Sequence, residues 1–162
     1  MALPVALQLY SVRDELEADF EGTIAKVREF GYDGVEFAGL YGRGGGQVRK
    51  ILADAGLTPV SAHVPLDELL GDTQAVVATY KEIGCKYIAV PYLPEDRRPG
   101  TEGFDRTIED IKKIADVCSA QGITTTISSS KSLTANMRST FSIRRFPPTD
   151  SRRRLIPVGS VS

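Results

Sequence analysis

Phe30-Gly-Tyr-Asp-Gly-Val-Glu-Phe37 turns the chain from one helix into one strand, and the same turn recurs along the sequence. An apolar helical stripe ends at Gly31, two residues follow, and a short strand begins at Gly34. Gly56-Leu-Thr runs likewise into Pro59-Val-Ser-Ala-His-Val64, and Gly84-Cys-Lys into Tyr87-Ile-Ala-Val-Pro-Tyr92. Glycine just past a helix accepts a left-handed conformation, and a short loop then returns the chain to a sheet. Repeated αβ units predict a parallel sheet or a (β/α) barrel. Gly122 closes a fourth helix after Ser119-Ala-Gln, but Ile123-Thr-Thr-Thr-Ile-Ser-Ser-Ser130 and the residues beyond it no longer read that way.

Working outward, the periodicity predicts strands over residues 5–10, 34–37, 60–64 and 87–92. Helices are predicted over 20–30, 47–55, 73–83 and 107–120, with a turn over 66–70. That makes an α/β chain of the (β/α) TIM-barrel type with about four βα units, half of an eight-fold barrel. The expected division is a half-barrel over 1–122 and a non-native or disordered tail over 123–162.

Charge supports that division. Residues 1–122 carry 13 Lys+Arg against 20 Asp+Glu, a net of −7, whereas 123–162 carry 7 basic residues and one acid, Asp150. The acidic body argues against a nucleic-acid partner. Cys85 and Cys118 are the only cysteines, and a reduced, cytoplasmic protein is the simplest expectation. The first residues carry no basic leader, so no signal peptide is expected, and no segment reaches transmembrane length.

Alternate residues of a strand face opposite ways. One face holds Val35, Phe37, Val60, Ala62, Ile88 and Val90, suited to packing on helices. The other holds Gln8, Tyr10, Gly34, Glu36, Ser61 and His63, which would point into a barrel. Barrel interiors are ordinarily filled with branched apolar side chains, and barrel active sites lie at the C-terminal ends of the strands. Glu36 near the end of strand two is a candidate base or hydroxyl ligand. Its competing reading is an inward ion pair or a solvated strand end. His63, the only histidine, falls in the last turn of strand three, where an imidazole could bond substrate or carry a proton. Gln8 and Tyr10 are candidate substrate-binding residues, and equally candidate supports for the site. One histidine alone is weak ground for a metal site, which takes three or four ligands. The glycine-rich Gly42-Arg-Gly-Gly-Gly46 matches no phosphate-loop pattern and reads as a βα loop. Asp14, Glu15, Glu17, Asp19 and Glu21 read as a solvated loop and helix start favoured by the helix dipole.

The stretches Val5-Ala-Leu-Gln-Leu-Tyr-Ser-Val-Arg-Asp-Glu15, Gly34-Val-Glu-Phe-Ala-Gly-Leu-Tyr-Gly42, Ser61-Ala-His-Val-Pro-Leu66 and Lys86-Tyr-Ile-Ala-Val-Pro-Tyr-Leu-Pro-Glu-Asp-Arg-Arg98 together resemble the sugar phosphate isomerase/epimerase group of xylose-isomerase-like TIM barrels. The resemblance covers residues 1–122. It implies an eight-stranded barrel that rearranges carbonyl and hydroxyl groups of a sugar or cyclitol by proton transfer, usually with a divalent metal (Mn, Mg or Zn). It places Glu36 and His63 at family active-site positions. The family's metal ligands come mainly from later strands, so no metal is expected on this chain. Two other readings stand beside it: an apurinic-site endonuclease-like barrel, which shares the fold, and a non-catalytic half-barrel that self-associates through its open edges.

Strand five of such proteins commonly reads Tyr-His-Asn-His-Asp-Phe-Glu-Phe. The codons TAT CAC AAC CAC GAT TTC GAG TTC, read one base late, encode Ile-Thr-Thr-Thr-Ile-Ser-Ser and then Ser, the sequence of residues 123–130. The same shift makes residues 133–138 compatible with Asp-Gly-Glu-Tyr-Ala, and residues 156–160 with Asp-Thr-(Gly or Cys)-Trp-Val. A change of reading frame near Gly122 is the expectation, with a truncated, weakly active or inactive product.

Overall fold

The computed structural model describes residues 3–127 and the backbone of 142–144. Five strands run parallel: β1 (Val5–Gln8), β2 (Gly34–Phe37), β3 (Thr58–His63), β4 (Tyr87–Val90) and β5 (Thr124–Ile127). They lie in the order β5-β4-β3-β2-β1, and β6 (Ser142–Arg144) pairs in parallel along the other side of β1. Between them run α1 (Arg13–Ala18), α2 (Phe20–Glu29), α3 (Gly45–Ala55), α4 (Leu66–Gly71), α5 (Thr73–Ile83) and α6 (Phe104–Ala120). Strand, helix, next strand in parallel is the barrel repeat, and the described residues form a partial (β/α) barrel.

The repeated glycine junction makes this order. Gly56 and Gly84 close α3 and α5 at φ 69° and 104°, conformations that strain other residues, and Gly31 and Gly122 are also left-handed. The helices begin as deliberately as they end. Asp19 accepts from the Gly22 amide at the start of α2, and Asp72 from the Ala75 amide at the start of α5. Each such cap stabilises its helix by about 1 kcal/mol.

One sheet face packs on the helices. Leu7, Val35, Phe37, Ala62, Ile88 and Val90 are buried there, in one core with Ile24, Val48, Leu52, Val77, Tyr80 and Ile114 of the helices. Covering a Leu or Phe fully contributes about 1.5–3 kcal/mol. No helix among the described residues is long and apolar enough to cross a membrane.

Several boundaries differ from those predicted: β3 covers Thr58–His63 rather than 60–64, α3 begins at Gly45 and α6 at Phe104, and α1 was not foreseen. Three further differences have a plain physical reason. Strand one stops at Gln8, and Leu9–Val12 form a 3-10 turn. In a strand Leu9 and Val12 would face opposite ways; in a three-residue turn both enter the core. β4 stops at Val90 because Pro91 has no amide hydrogen for a ladder. The sheet also continues past Gly122. Thr124 N donates to Lys86 O at 3.0 Å, and Thr124–Ile127 pairs residue for residue with Tyr87–Val90. The remainder of the expected tail, apart from β6, lies outside the described residues.

Candidate functional site

Parallel pairing sets Gln8 beside Glu36, and Glu36 beside Ser61, so three polar side chains form a row across β1, β2 and β3. The second pairing depends on an irregularity. Val35 pairs with Pro59, but Glu36 pairs with Ser61, so Val60 is left over as a bulge. In unbroken register Glu36 would lie beside Val60. The extra residue re-aims β3 and delivers Ser61, and His63 two positions on, to the face that carries Glu36.

The row is buried and bonded. Glu36 is 2% exposed, Gln8 6% and Ser61 0%. Gln8 Nε2 donates to Glu36 Oε1 at 2.5 Å, and Ser61 Oγ donates to Oε2 at 2.7 Å. The two donors act on different oxygens and hold the carboxylate plane from both sides. A buried carboxylate without such donors would be costly. His63 closes the group from the strand end: its Nε2 lies 3.4 Å from Glu36 Oε1, and its Nδ1 lies 3.4 Å from Gln8 Nε2. Gln8 and His63 are the last residues of their strands, so the cluster sits at the C-terminal ends. A held carboxylate touching an imidazole can take and return protons, which is general acid–base chemistry.

Of the four residues picked from the sequence, three meet here and one does not. Tyr10 is on the 3-10 turn rather than the strand, 57% exposed, with the Arg13 guanidinium 4.8 Å above its ring. Ser61 was not singled out. Its position two residues before His63 put it on the inward face, but the bulge that brings it to Glu36 has no sequence mark.

The glycine-rich segment turns out to serve packing. A Cβ on Gly45 would lie 2.5 Å from Glu82 Oε2 and 2.9 Å from the Thr79 carbonyl, so glycine lets α3 approach α5. Arg43 instead stacks its guanidinium 4.4 Å above Phe20. Most of the acidic cluster lies where dipoles favour it, with Asp14 and Glu15 in the first turn of α1, Asp19 capping α2 and Glu21 in its first turn, whereas Glu17 is the penultimate residue of α1, at the opposite pole. Burial pushes the Cys85 thiol up to about 12 and raises that of Cys118, so neither offers a ready thiolate.

Among the described residues no group of three or more His, Cys, Asp or Glu is placed to hold a metal ion. Glu36 and His63 supply two donors where a site takes three or four. The described donor set therefore does not fit a divalent ion.

No protein-family model and no curated protein matches the chain. Solved structures do. A sugar phosphate isomerase/epimerase from Parabacteroides distasonis superposes with a TM-score of 0.63 at 19% identity, over 78% of this chain and 51% of that one. A family 2 AP endonuclease from Brucella melitensis gives 0.58 at 17%, over 78% and 55%. A D-psicose 3-epimerase determined in the presence of D-fructose gives 0.56 at 17%, over 77% and 52%. At these identities the likeness shows the fold alone, that of a (β/α) TIM barrel. This chain spans about half the length of the structures it matches.

Proposed function

We propose that residues 1–122 carry part of the active site of a sugar or cyclitol isomerase or epimerase, in which Glu36 and His63 move protons on the substrate. The observation that carries this reading is the buried Glu36 carboxylate at the strand C-termini, with Gln8 and Ser61 on its two oxygens and His63 Nε2 3.4 Å away. A base for sugar isomerisation must reach a hydrogen on the carbon beside a carbonyl, take it, and return it to a neighbouring atom or the opposite face. A carboxylate oriented by two donors can do so without first reorganising. Sugar-processing enzymes among the structural neighbours support the substrate class. The endonuclease reading has a neighbour as well, but the −7 body is ill suited to a phosphate backbone. A divalent metal in the complete site would draw further ligands from outside the described residues. Two unpaired buried cysteines suit a reducing compartment such as the cytoplasm.

The test uses a gene whose frame is restored after codon 122, assayed over ketoses, aldoses and cyclitols with added Mn²⁺, Mg²⁺ or Zn²⁺. Glu36→Gln and His63→Ala should each lower turnover by about 10²–10⁴-fold with the fold intact. Unchanged turnover in both removes them from the site.

A further inference from the structure

We infer that Gln8 is a positioning residue that sets the tautomer of His63 and so divides the acid and base roles between His63 and Glu36. The argument starts from an acceptor. A carboxylate only accepts hydrogen bonds, so the end of the Gln8 amide that faces Glu36 Oε1 at 2.5 Å must be its NH₂. The opposite amide orientation would set a carbonyl oxygen against a carboxylate oxygen. The same nitrogen lies 3.4 Å from His63 Nδ1. An amide nitrogen has two hydrogens and accepts nothing, so one hydrogen serves Glu36 and the other makes Nδ1 an acceptor. A neutral imidazole whose Nδ1 accepts carries its hydrogen on Nε2. That atom is 3.4 Å from Glu36 Oε1.

The consequence deepens the proposed reading and rests on it. His63 meets the site as a donor, through Nε2–H, and Glu36 is left as the base. Gln8, with both amide hydrogens committed and 6% exposed, is not a direct substrate ligand through its NH₂. Its burial on β1 beside two strands makes it a fixed template for the pair.

The chain has a single histidine, so a ring-¹⁵N-histidine NMR spectrum reports one imidazole. The test is run on the 162-residue chain at a pH where that ring is neutral. Wild type should show the Nε2–H tautomer. Gln8→Met, similar in length and without a donor, leaves only Glu36 beside Nε2 and should shift the ratio toward Nδ1–H by about tenfold, the worth of one net hydrogen bond. Gln8→Leu, which removes the donor without setting a second oxygen against Glu36, should shift the ratio the same way. An Nδ1–H ring in wild type, or one tautomer ratio in all three proteins, overturns the inference. Backbone spectra establish that each variant is folded. Either folded variant decides, and an Nδ1–H ring in wild type overturns the inference without them. Because no turnover is read, the outcomes separate. The expected tautomers together with full activity of Glu36→Gln would remove the proposed chemistry and leave Gln8 as a template for a structural pair.

Discussion

β2 and β5 are both four-residue parallel strands, each paired along its whole length, and they have little else in common. Every residue of β2 is buried, and it carries both a core aromatic, Phe37, and the site carboxylate, Glu36. β5 has one exposed and three half-buried residues, and its sequence is three threonines and an isoleucine. The backbone ladder of β5 is complete without any side chain that a core or a site would need. Parallel pairing is main-chain chemistry that β-branched residues favour whatever their polarity. Catalysis and packing depend on which side chains the strand carries. A reading frame displaced by one base near Gly122 would replace every side chain of that strand and still leave Thr- and Ile-rich sequence that extends readily.

The sharpest way to break the comparison is to give β5 the other set of side chains. Restoring the frame after codon 122 should produce Tyr-His-Asn-His-type sequence and a longer open frame. The restored product should turn over a sugar or cyclitol, whereas the 162-residue chain should not. Sequencing the coding DNA checks the first part, and the same substrate panel checks the second. Early stop codons in both other frames, or equal turnover by the two products, would remove the contrast in origin between the two strands.

A smaller effect tests their unequal part in the core. Phe37→Ala, at a fully buried position, should cost about 3–5 kcal/mol in denaturant unfolding. Thr126→Ala on β5 should stay within about 0.5 kcal/mol. Similar losses from both would mean that β5 belongs to the core as fully as β2.

The unequal strands also mark how far the sequence could be read. Gly31, Gly56 and Gly84 announced three junctions because a left-handed helix end has a narrow residue preference. Glu36 and His63 were legible because alternation puts them inward among otherwise apolar strands. The bulge at Val60 was not, since it depends on the register between β2 and β3, which no residue of either strand states alone. Ser61 was missed for that reason. Leu9 and Tyr10, the start of the 3-10 turn, were misread as the end of strand one because the residues there suit either period until packing decides. Beyond Gly122 the side-chain pattern stops, and pattern was the only signal available for a strand whose pairing is carried by its backbone.

The smallest effect concerns that pairing itself. The Thr124 amide donates to Lys86 O, and proline at 124 has no hydrogen to give. Thr124→Pro should therefore remove one hydrogen bond, about 1 kcal/mol, from a strand that opens locally. In hydrogen exchange the β5 amides of the unaltered chain should already be faster than those of β2. The substitution should speed them about fivefold further, the equivalent of that 1 kcal/mol, and leave β2 as it was. The reason for a local response is burial: β5 has few covered apolar side chains to tie its opening to that of the core, while β2 cannot open without exposing Phe37. Acceleration of β2 and β5 together would show that the two strands open as one unit, and their difference would then be one of side-chain chemistry alone.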